Sequence, residues 1–110
     1  MKTEMITTHD LRVDDVILSD GMVLKIDREP QQTFHPVDSE AAGITLATRA
    51  LIVNWDDMVE RAKVDTYITG FIVGRVRDEM KRGAITEPRW TIQGNRWARW
   101  TRALDAEEAR

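Results

Sequence analysis

The sequence predicts an α+β fold, with a small antiparallel sheet or partly open barrel covered by a helical middle segment. An Asp-Gly pair between two apolar runs near the N-terminus predicts a hairpin, and a β-branched segment at 44–53 predicts a third strand. Apolar residues between 64 and 80 recur at helical spacing and predict the covering helix. A Trp-rich segment near the C-terminus predicts a second hairpin, which completes the sheet.

The composition is typical of one globular domain, because 42% of the 110 residues are hydrophobic and 32% are charged. We expect that domain to span residues 1–102, followed by an acidic C-terminal tail at 103–110. The longest apolar run, residues 50–53, is too short to cross a bilayer, so no membrane association is expected. The absence of cysteine, and of an apolar signal region near Met1, predicts a cytoplasmic location.

The N-terminal hairpin is predicted from Asp20-Gly21, because both central residues of a type I′ turn need a positive φ. The turn joins expected strands near 15–19 and 22–29. The residues before it, Leu11 to Ile17, resemble the Leu-x-Val-Gly-Asp-x-Ile opening of many small SH3-like barrels, with Asp14 where those proteins have glycine. This resemblance covers less than a fifth of the chain.

Residues 30–43 contain two Pro, two Gln and single Thr, Asp and Ser residues, and they predict a loop of unusual length. The third strand at 44–53 follows, with a second half apolar enough to be buried. Asn54 is then expected to be a helix N-cap, with Asp56 and Asp57 favourable in the first turn. A short helix is predicted there because four apolar residues share helical spacing: Trp55, Met58, Val59 and Ala62.

Residues 66–77 allow two interpretations. A helical stripe that ends at Lys81-Arg82-Gly83 favours a helix. The stripe consists of Val64, Ile68, Phe71, Ile72, Val76 and Met80. The strand-prone runs 66–69 and 71–73, together with two glycines that weaken a helix, leave a strand open. We prefer the helix because the stripe and its terminus agree over four turns.

Three of the four tryptophans lie within residues 90–100, where arginines are interleaved with them. A two-residue turn at Gly94-Asn95 predicts a hairpin there. The predicted register places Ile92 opposite Trp97, Trp90 opposite Arg99, and Arg89 opposite Trp100. Trp90, Ile92 and Trp97 are then expected to form a core face, and Trp100 to be the most exposed tryptophan. Each Arg–Trp pair is expected to form a cation–π contact.

Basic residues are concentrated in the same part of the chain. Residues 75–102 carry eight Lys/Arg and three Asp/Glu, whereas residues 1–74 carry seven and thirteen. Arginine and tryptophan dominate the energetics of protein interfaces, so we expect a non-enzymatic module that binds a protein partner or itself. The expected binding residues are Arg75, Arg77, Arg96, Arg99 and Trp100. The alternative is binding of single-stranded nucleic acid or another anion, because bases stack on the rings and arginines neutralise phosphates.

The sequence contains no recognised catalytic, phosphate-binding or metal-binding motif, so neither enzymatic activity nor a cofactor is expected. His9 is expected to lie on the surface without a chemical role. His35 lies in the 30–43 loop with Asp38, Ser39 and Glu40, and a small hydrolase built on this loop is a third hypothesis. This hypothesis requires the side chains to meet in the folded structure, which their spacing along the sequence does not predict.

In composition the chain resembles the small uncharacterised accessory proteins of actinobacterial phages, because it is short, free of cysteine and rich in Asp, Arg, Ala and Val. The resemblance lies in composition and overall design, and no diagnostic motif carries it. It implies a binding role that is directed at the host or related to nucleic acid.

Overall fold

Seven strands and two helices make up the described part of the chain, residues 2–34 and 44–104, in a computed structural model. The strands are β1 (Thr3–Thr7), β2 (Val16–Ser19), β3 (Met22–Lys25), β4 (Gln31–Phe34), β5 (Ile44–Ile52), β6 (Arg89–Asn95) and β7 (Arg99–Ala103). The helices are α1 (Trp55–Ala62) and α2 (Ile68–Lys81). A single 3-10 turn, Thr8–Asp10, follows β1. The predicted α+β class is confirmed.

All of these strands belong to one open antiparallel sheet, with neighbours in the order β1, β7, β2, β3, β5. The central strand β5 pairs with β6 along one edge, from Thr45 to Leu51. Its other edge is shared, because β4 pairs with Ile44–Ala47 and β3 pairs with Leu51 and Ile52. Strands β1 and β6 therefore lie at the two ends of the sheet.

The predicted N-terminal hairpin is confirmed. Ser19 pairs with Met22, and the two turn residues have the positive φ values of a type I′ turn, 50° at Asp20 and 82° at Gly21. Its second strand ends at Lys25, four residues earlier than predicted. Asp14, at the position where SH3-like barrels have glycine, also has a positive φ, of 77°. The chain therefore adopts a glycine-like backbone there without glycine.

Asn54 is the N-cap residue of α1, as predicted, but its side chain makes no capping hydrogen bond. Its Oδ1 accepts a hydrogen bond from the N–H of Val23 at 2.8 Å, and its Nδ2 donates to the carbonyl of Gly21 at 3.0 Å. The Nη2 atom of Arg61 donates to the same carbonyl at 2.6 Å. These bonds attach α1 to the β2–β3 turn.

The helix interpretation of residues 66–77 is correct from Ile68 onward, and Gly83 ends the helix with a φ of 78°. The buried face of α2 is formed by Thr69, Ile72, Val73 and Val76. Part of the predicted stripe instead faces solvent: Val64 is 87% exposed, Ile68 52% and Phe71 61%. Val64 lies before α2, and Ile68 and Phe71 lie on a different face of α2 from its buried residues.

Two strands were not predicted. Gln31–Phe34 forms β4 inside the predicted 30–43 loop, and Thr3–Thr7 forms β1. Both segments are largely polar, so their strand state depends on pairing with β5 and β7. The remainder of the loop, residues 35–43 with His35, Asp38, Ser39 and Glu40, lies outside the described residues, as do residues 105–110. Strand β7 extends one residue into the predicted tail, to the buried Ala103.

The core lies between the sheet and the two helices. Its buried side chains come from β2, β3, β5, β6 and both helices, and they include Ile17, Leu24, Ile52, Met58, Val76 and Ile92. Trp55, Trp90 and Trp100 pack against this cluster while keeping part of their surface exposed. Neither described helix has the length and apolar content needed to span a membrane.

Candidate functional site

The Trp-rich segment does not form the predicted hairpin. Strand β6 continues through Gly94 and Asn95 and pairs with β5, whereas β7 lies between β1 and β2. The turn comes after Asn95, whose carbonyl accepts a hydrogen bond from the N–H of Ala98 at 3.1 Å. The prediction from Gly94-Asn95 was wrong because β6 pairs with β5, and β7 pairs with β1 and β2. The cross-strand pairs expected of the hairpin are absent from the described register.

The observed pairing of β6 and β7 also reverses the roles expected for two tryptophans. Trp97 lies in the turn and is 71% exposed, so it does not belong to the core face with Trp90 and Ile92. Trp100 is half-buried, and its Nε1 donates a hydrogen bond to Oγ1 of Thr8 at 2.8 Å. It is therefore a packed residue with a polar anchor, and Trp97 is the exposed one.

Arg89 is buried and does not pair with Trp100. Its Nη1 and Nη2 donate to the two carboxylate oxygens of Asp27 at 2.9 and 2.8 Å, and Nη2 also contacts Glu87 at 2.9 Å. Nη1 donates in addition to the carbonyl of Arg49 at 3.1 Å. The hydrogen bonds from Arg89 lower the pKa of Asp27, and those to Asp27 raise the pKa of Arg89. Arg89 therefore has a structural role.

A groove of about 430 Å³ lies between α2 and β6. Phe71, Arg75 and Glu79, which are one helical turn apart, form its helical wall. The opposite side is formed by residues 89–93 of β6 and by Trp100. Its volume falls within the range of about 300–1,000 Å³ that is usual for ligand sites.

Two arginines and one glutamate meet at this side of the groove, Arg75 and Glu79 from α2 and Arg49 from β5. Glu79 lies between two arginines, with an oxygen 3.8 Å from Nη1 of Arg49 and another 3.6 Å from Nε of Arg75. The Glu79 side chain is only 19% exposed, whereas that of Arg75 is 62% exposed. Because two guanidinium groups share one carboxylate at long distances, both keep donors that a ligand could use.

The structure separates the five binding residues expected from the sequence. Arg75 and Trp100 line the groove. Arg77 is exposed on α2 and does not line it. Arg96 and Arg99 are exposed on either side of Trp97, where the carbonyl of Arg96 accepts a hydrogen bond from the N–H of His9 at 3.1 Å. His9 is exposed, as expected.

Sequence reasoning missed the apolar surface beside the groove. Val64, Tyr67, Ile68 and Phe71 are all exposed, with Tyr67 at 83%. Tyr67 and Ile68 lie four and three residues before Phe71 at the start of α2, whereas Val64 lies in the connection between α1 and α2. We call these four residues the apolar row. Periodicity predicted a helical stripe that includes Val64, Ile68 and Phe71, but it does not tell which apolar face the sheet will cover.

No protein-family model, curated protein or solved structure matches this chain. Across residues 2–34 and 44–104, no three His, Asp or Glu side chains come together in an arrangement that could hold a metal ion. The comparisons therefore add no relative whose site could be compared with the groove.

Proposed function

We propose that this protein is an interaction module that binds a partner protein through the groove between α2 and β6 and through the apolar row. The observation that carries the proposal is the position of Phe71, which is 61% exposed and belongs to both the row and the groove wall. A partner that covers Phe71 therefore also reaches Arg75 and the groove.

Energetic considerations support a protein partner. Removing a large apolar side chain from water contributes about 1.5–3 kcal/mol, and the row offers several of them side by side. Tyr67, Ile68 and Phe71 lie within one helical turn, and neighbouring exposed apolar side chains of this kind are typical of interaction sites. Aromatic residues and arginine, which meet at Phe71 and Arg75, are also the residue types that contribute most to protein interfaces.

Peptide selection on the immobilised chain tests this function. We expect the selection to enrich peptides that bind the wild type. Their affinity for Phe71→Ser or Arg75→Glu should be lower by about tenfold or more. Both side chains are exposed, so these variants should fold. Met5→Ser is the matched control, because Met5 is 58% exposed on β1 at the opposite end of the sheet. The proposal fails if no sequence is enriched, or if enriched peptides bind Phe71→Ser as well as the wild type.

A second candidate function is binding of single-stranded nucleic acid at the turn between β6 and β7. The observation that favours it is Trp97, 71% exposed between Arg96 and Arg99, neither of which forms an ion pair with any residue of the described ranges. An exposed indole provides a stacking surface for a base, and two free guanidinium groups suit the neighbouring phosphates.

Binding of a fluorescent oligothymidine distinguishes this second function from the first. With two phosphate contacts, affinity should fall about sevenfold between about 50 and 200 mM salt. Trp97→Ala and Arg96→Gln should each weaken binding, whereas Phe71→Ser should leave it unchanged. Absence of tryptophan quenching by the oligonucleotide at low salt would exclude this function.

A further inference from the structure

Strand β6 is an edge strand, and its residues 89–93 line the groove. Within the described ranges it pairs with β5 alone. An edge strand presents backbone N–H and C=O groups that a further strand can bind. The direction of these groups follows from the hydrogen-bonding pattern of the β5–β6 ladder.

In an antiparallel pair, hydrogen-bonded and non-hydrogen-bonded residue pairs alternate. The N–H of Ile52 donates to the carbonyl of Pro88 at 2.9 Å. Ile52 and Pro88 are therefore a hydrogen-bonded pair, next to the Leu51–Arg89 pair that ends the β5–β6 ladder. The register is continuous, so the following bonded pairs are Ala50 with Trp90 and Thr48 with Ile92.

The pair between these two, Arg49 with Thr91, is therefore non-hydrogen-bonded. An independent contact agrees, because the carbonyl of Arg49 accepts a hydrogen bond from Nη1 of Arg89. The N–H and C=O of Thr91 consequently point away from β5. Thr91 lines the groove, so an extended segment bound there is within reach of this donor and this acceptor.

We infer that the groove binds an extended segment of the partner as an additional antiparallel strand on β6, with its backbone hydrogen-bonded to Thr91. This inference rests on the proposed function and specifies how the partner binds. Strand addition of this kind obtains affinity from main-chain hydrogen bonds and specificity from alternate side chains. The helix beside the edge supplies the contacts for those side chains.

The spacing of the helical wall indicates which peptide fits. Phe71 and Arg75 are four residues apart on α2, a rise of about 6 Å. Residues i and i+2 of a strand lie about 6.8 Å apart on one face. A peptide with an apolar residue at i and an acidic residue at i+2 therefore places one side chain against Phe71 and a carboxylate beside Arg75.

The test uses blocked pentapeptides with Ile, Leu or Val at the second position, Asp or Glu at the fourth, and Thr elsewhere. We expect binding with a dissociation constant below about 1 mM, measured by tryptophan fluorescence on the full chain. N-methylation of the third residue, whose N–H would bond to Thr91, should weaken binding about tenfold or more. N-methylation of the second residue, whose N–H points away, should have little effect.

Thr91→Pro tests the protein side of the same bond. The N–H of Thr91 is not used by the β5–β6 ladder, and proline is tolerated at edge positions of that type. The variant should therefore fold but no longer bind the peptide. Thr91→Val keeps the N–H and serves as the control. If Thr91→Pro does not fold, the N-methylated peptides on the wild type still decide the question.

The outcomes separate this inference from the proposed function. Peptides that bind, depend on Phe71, and ignore both Thr91→Pro and N-methylation overturn strand addition while leaving the interaction module intact. The same holds if the selection enriches sequences but none of the pentapeptides binds. If the pentapeptides fail and the selection enriches nothing, both the function and the inference are overturned.

Discussion

Arg89 and Asp27 form a two-point ion pair that joins β6 to the segment that follows β3, with both nitrogen–oxygen distances below 3 Å. The guanidinium is 9% exposed and the carboxylate 32%. Charge-assisted pairs of this geometry are stronger than single hydrogen bonds, and losing one partner leaves a buried charge without its counter-ion.

Asp27→Asn should therefore lower the free energy of unfolding by about 2 kcal/mol, less than for a fully buried pair because Glu87 remains in contact with Arg89. Urea denaturation measures this change. Glu87→Gln is the control and should cost under about 1 kcal/mol, since the Glu87 side chain is more exposed. Equal losses in the two variants would show that the two-point geometry does not matter.

Acidic pH should lower the free energy of unfolding, because it protonates the carboxylate of Asp27. The pKa of Asp27 is lowered by Arg89, and the pKa of Asp65 is lowered by hydrogen bonds from Thr69. A lowered pKa in the folded state stabilises the protein above the unfolded-state value of 3.8, and that stability is lost as the pH falls through the folded-state value. The stability gap between wild type and Asp27→Asn should therefore narrow below about pH 4, measured by urea denaturation at several pH values. A gap that is constant down to pH 2 would contradict this assignment.

Asp14 offers a test of the left-handed backbone. Because its φ is 77°, Asp14→Gly should raise the free energy of unfolding by about 0.5–1 kcal/mol, and Asp14→Ala should lower it by about 1 kcal/mol. Thermal unfolding of the two variants measures the difference. The ion pair of Asp14 with Lys25 at 3.7 Å is exposed and contributes little to either value. Stabilisation by Asp14→Ala would argue against backbone strain.

Gly21 and Gly83 form a matched pair, because their φ values are 82° and 78°. A Cβ atom at Gly21 would lie 2.5 Å from the guanidinium of Arg61, whereas one at Gly83 would meet nothing within 4 Å. Gly83→Ala should cost about 1 kcal/mol from backbone strain alone. Gly21→Ala should cost about 1 kcal/mol more, because Arg61 must give up its bond to the Gly21 carbonyl. Chemical denaturation compares them, and equal costs would show that Arg61 moves freely.

The reversed roles of Trp97 and Trp100 predict opposite effects on stability. Trp97→Ala removes an exposed side chain and should change the free energy of unfolding by less than about 0.5 kcal/mol. Trp100→Ala removes packing against the core and the bond to Thr8, and should cost about 2–3 kcal/mol. Thermal unfolding measures both variants, and a larger loss for Trp97→Ala would contradict the observed turn.

Local chemistry explains which parts of the fold were predictable. The Asp20-Gly21 turn, the β-branched third strand and the glycine that ends α2 are each determined within a few residues, and each is confirmed. Strands β1 and β4 were missed because their polar sequences become strands only by pairing. The second hairpin was wrong because a local turn signal competed with long-range pairing of β6 and β7.

The candidate site was predictable only in its residue types. Composition pointed to Arg75 and Trp100, which do line the groove. Phe71 and Thr91 could not be recognised, because their importance depends on where α2 lies relative to the free edge of β6. Periodicity assigned Phe71 to the core, and only the packing of the neighbouring Ile72 and Val73 shows that it faces outward.

Glu79 already lies beside both Arg49 and Arg75, so an incoming carboxylate would share these two guanidinium groups with it. Repulsion between the two carboxylates would reduce the net gain from the ligand's acidic side chain. Because Glu79 is already present, an acidic side chain alone contributes little binding free energy. A bound segment therefore also needs its backbone hydrogen bonds and its apolar side chain.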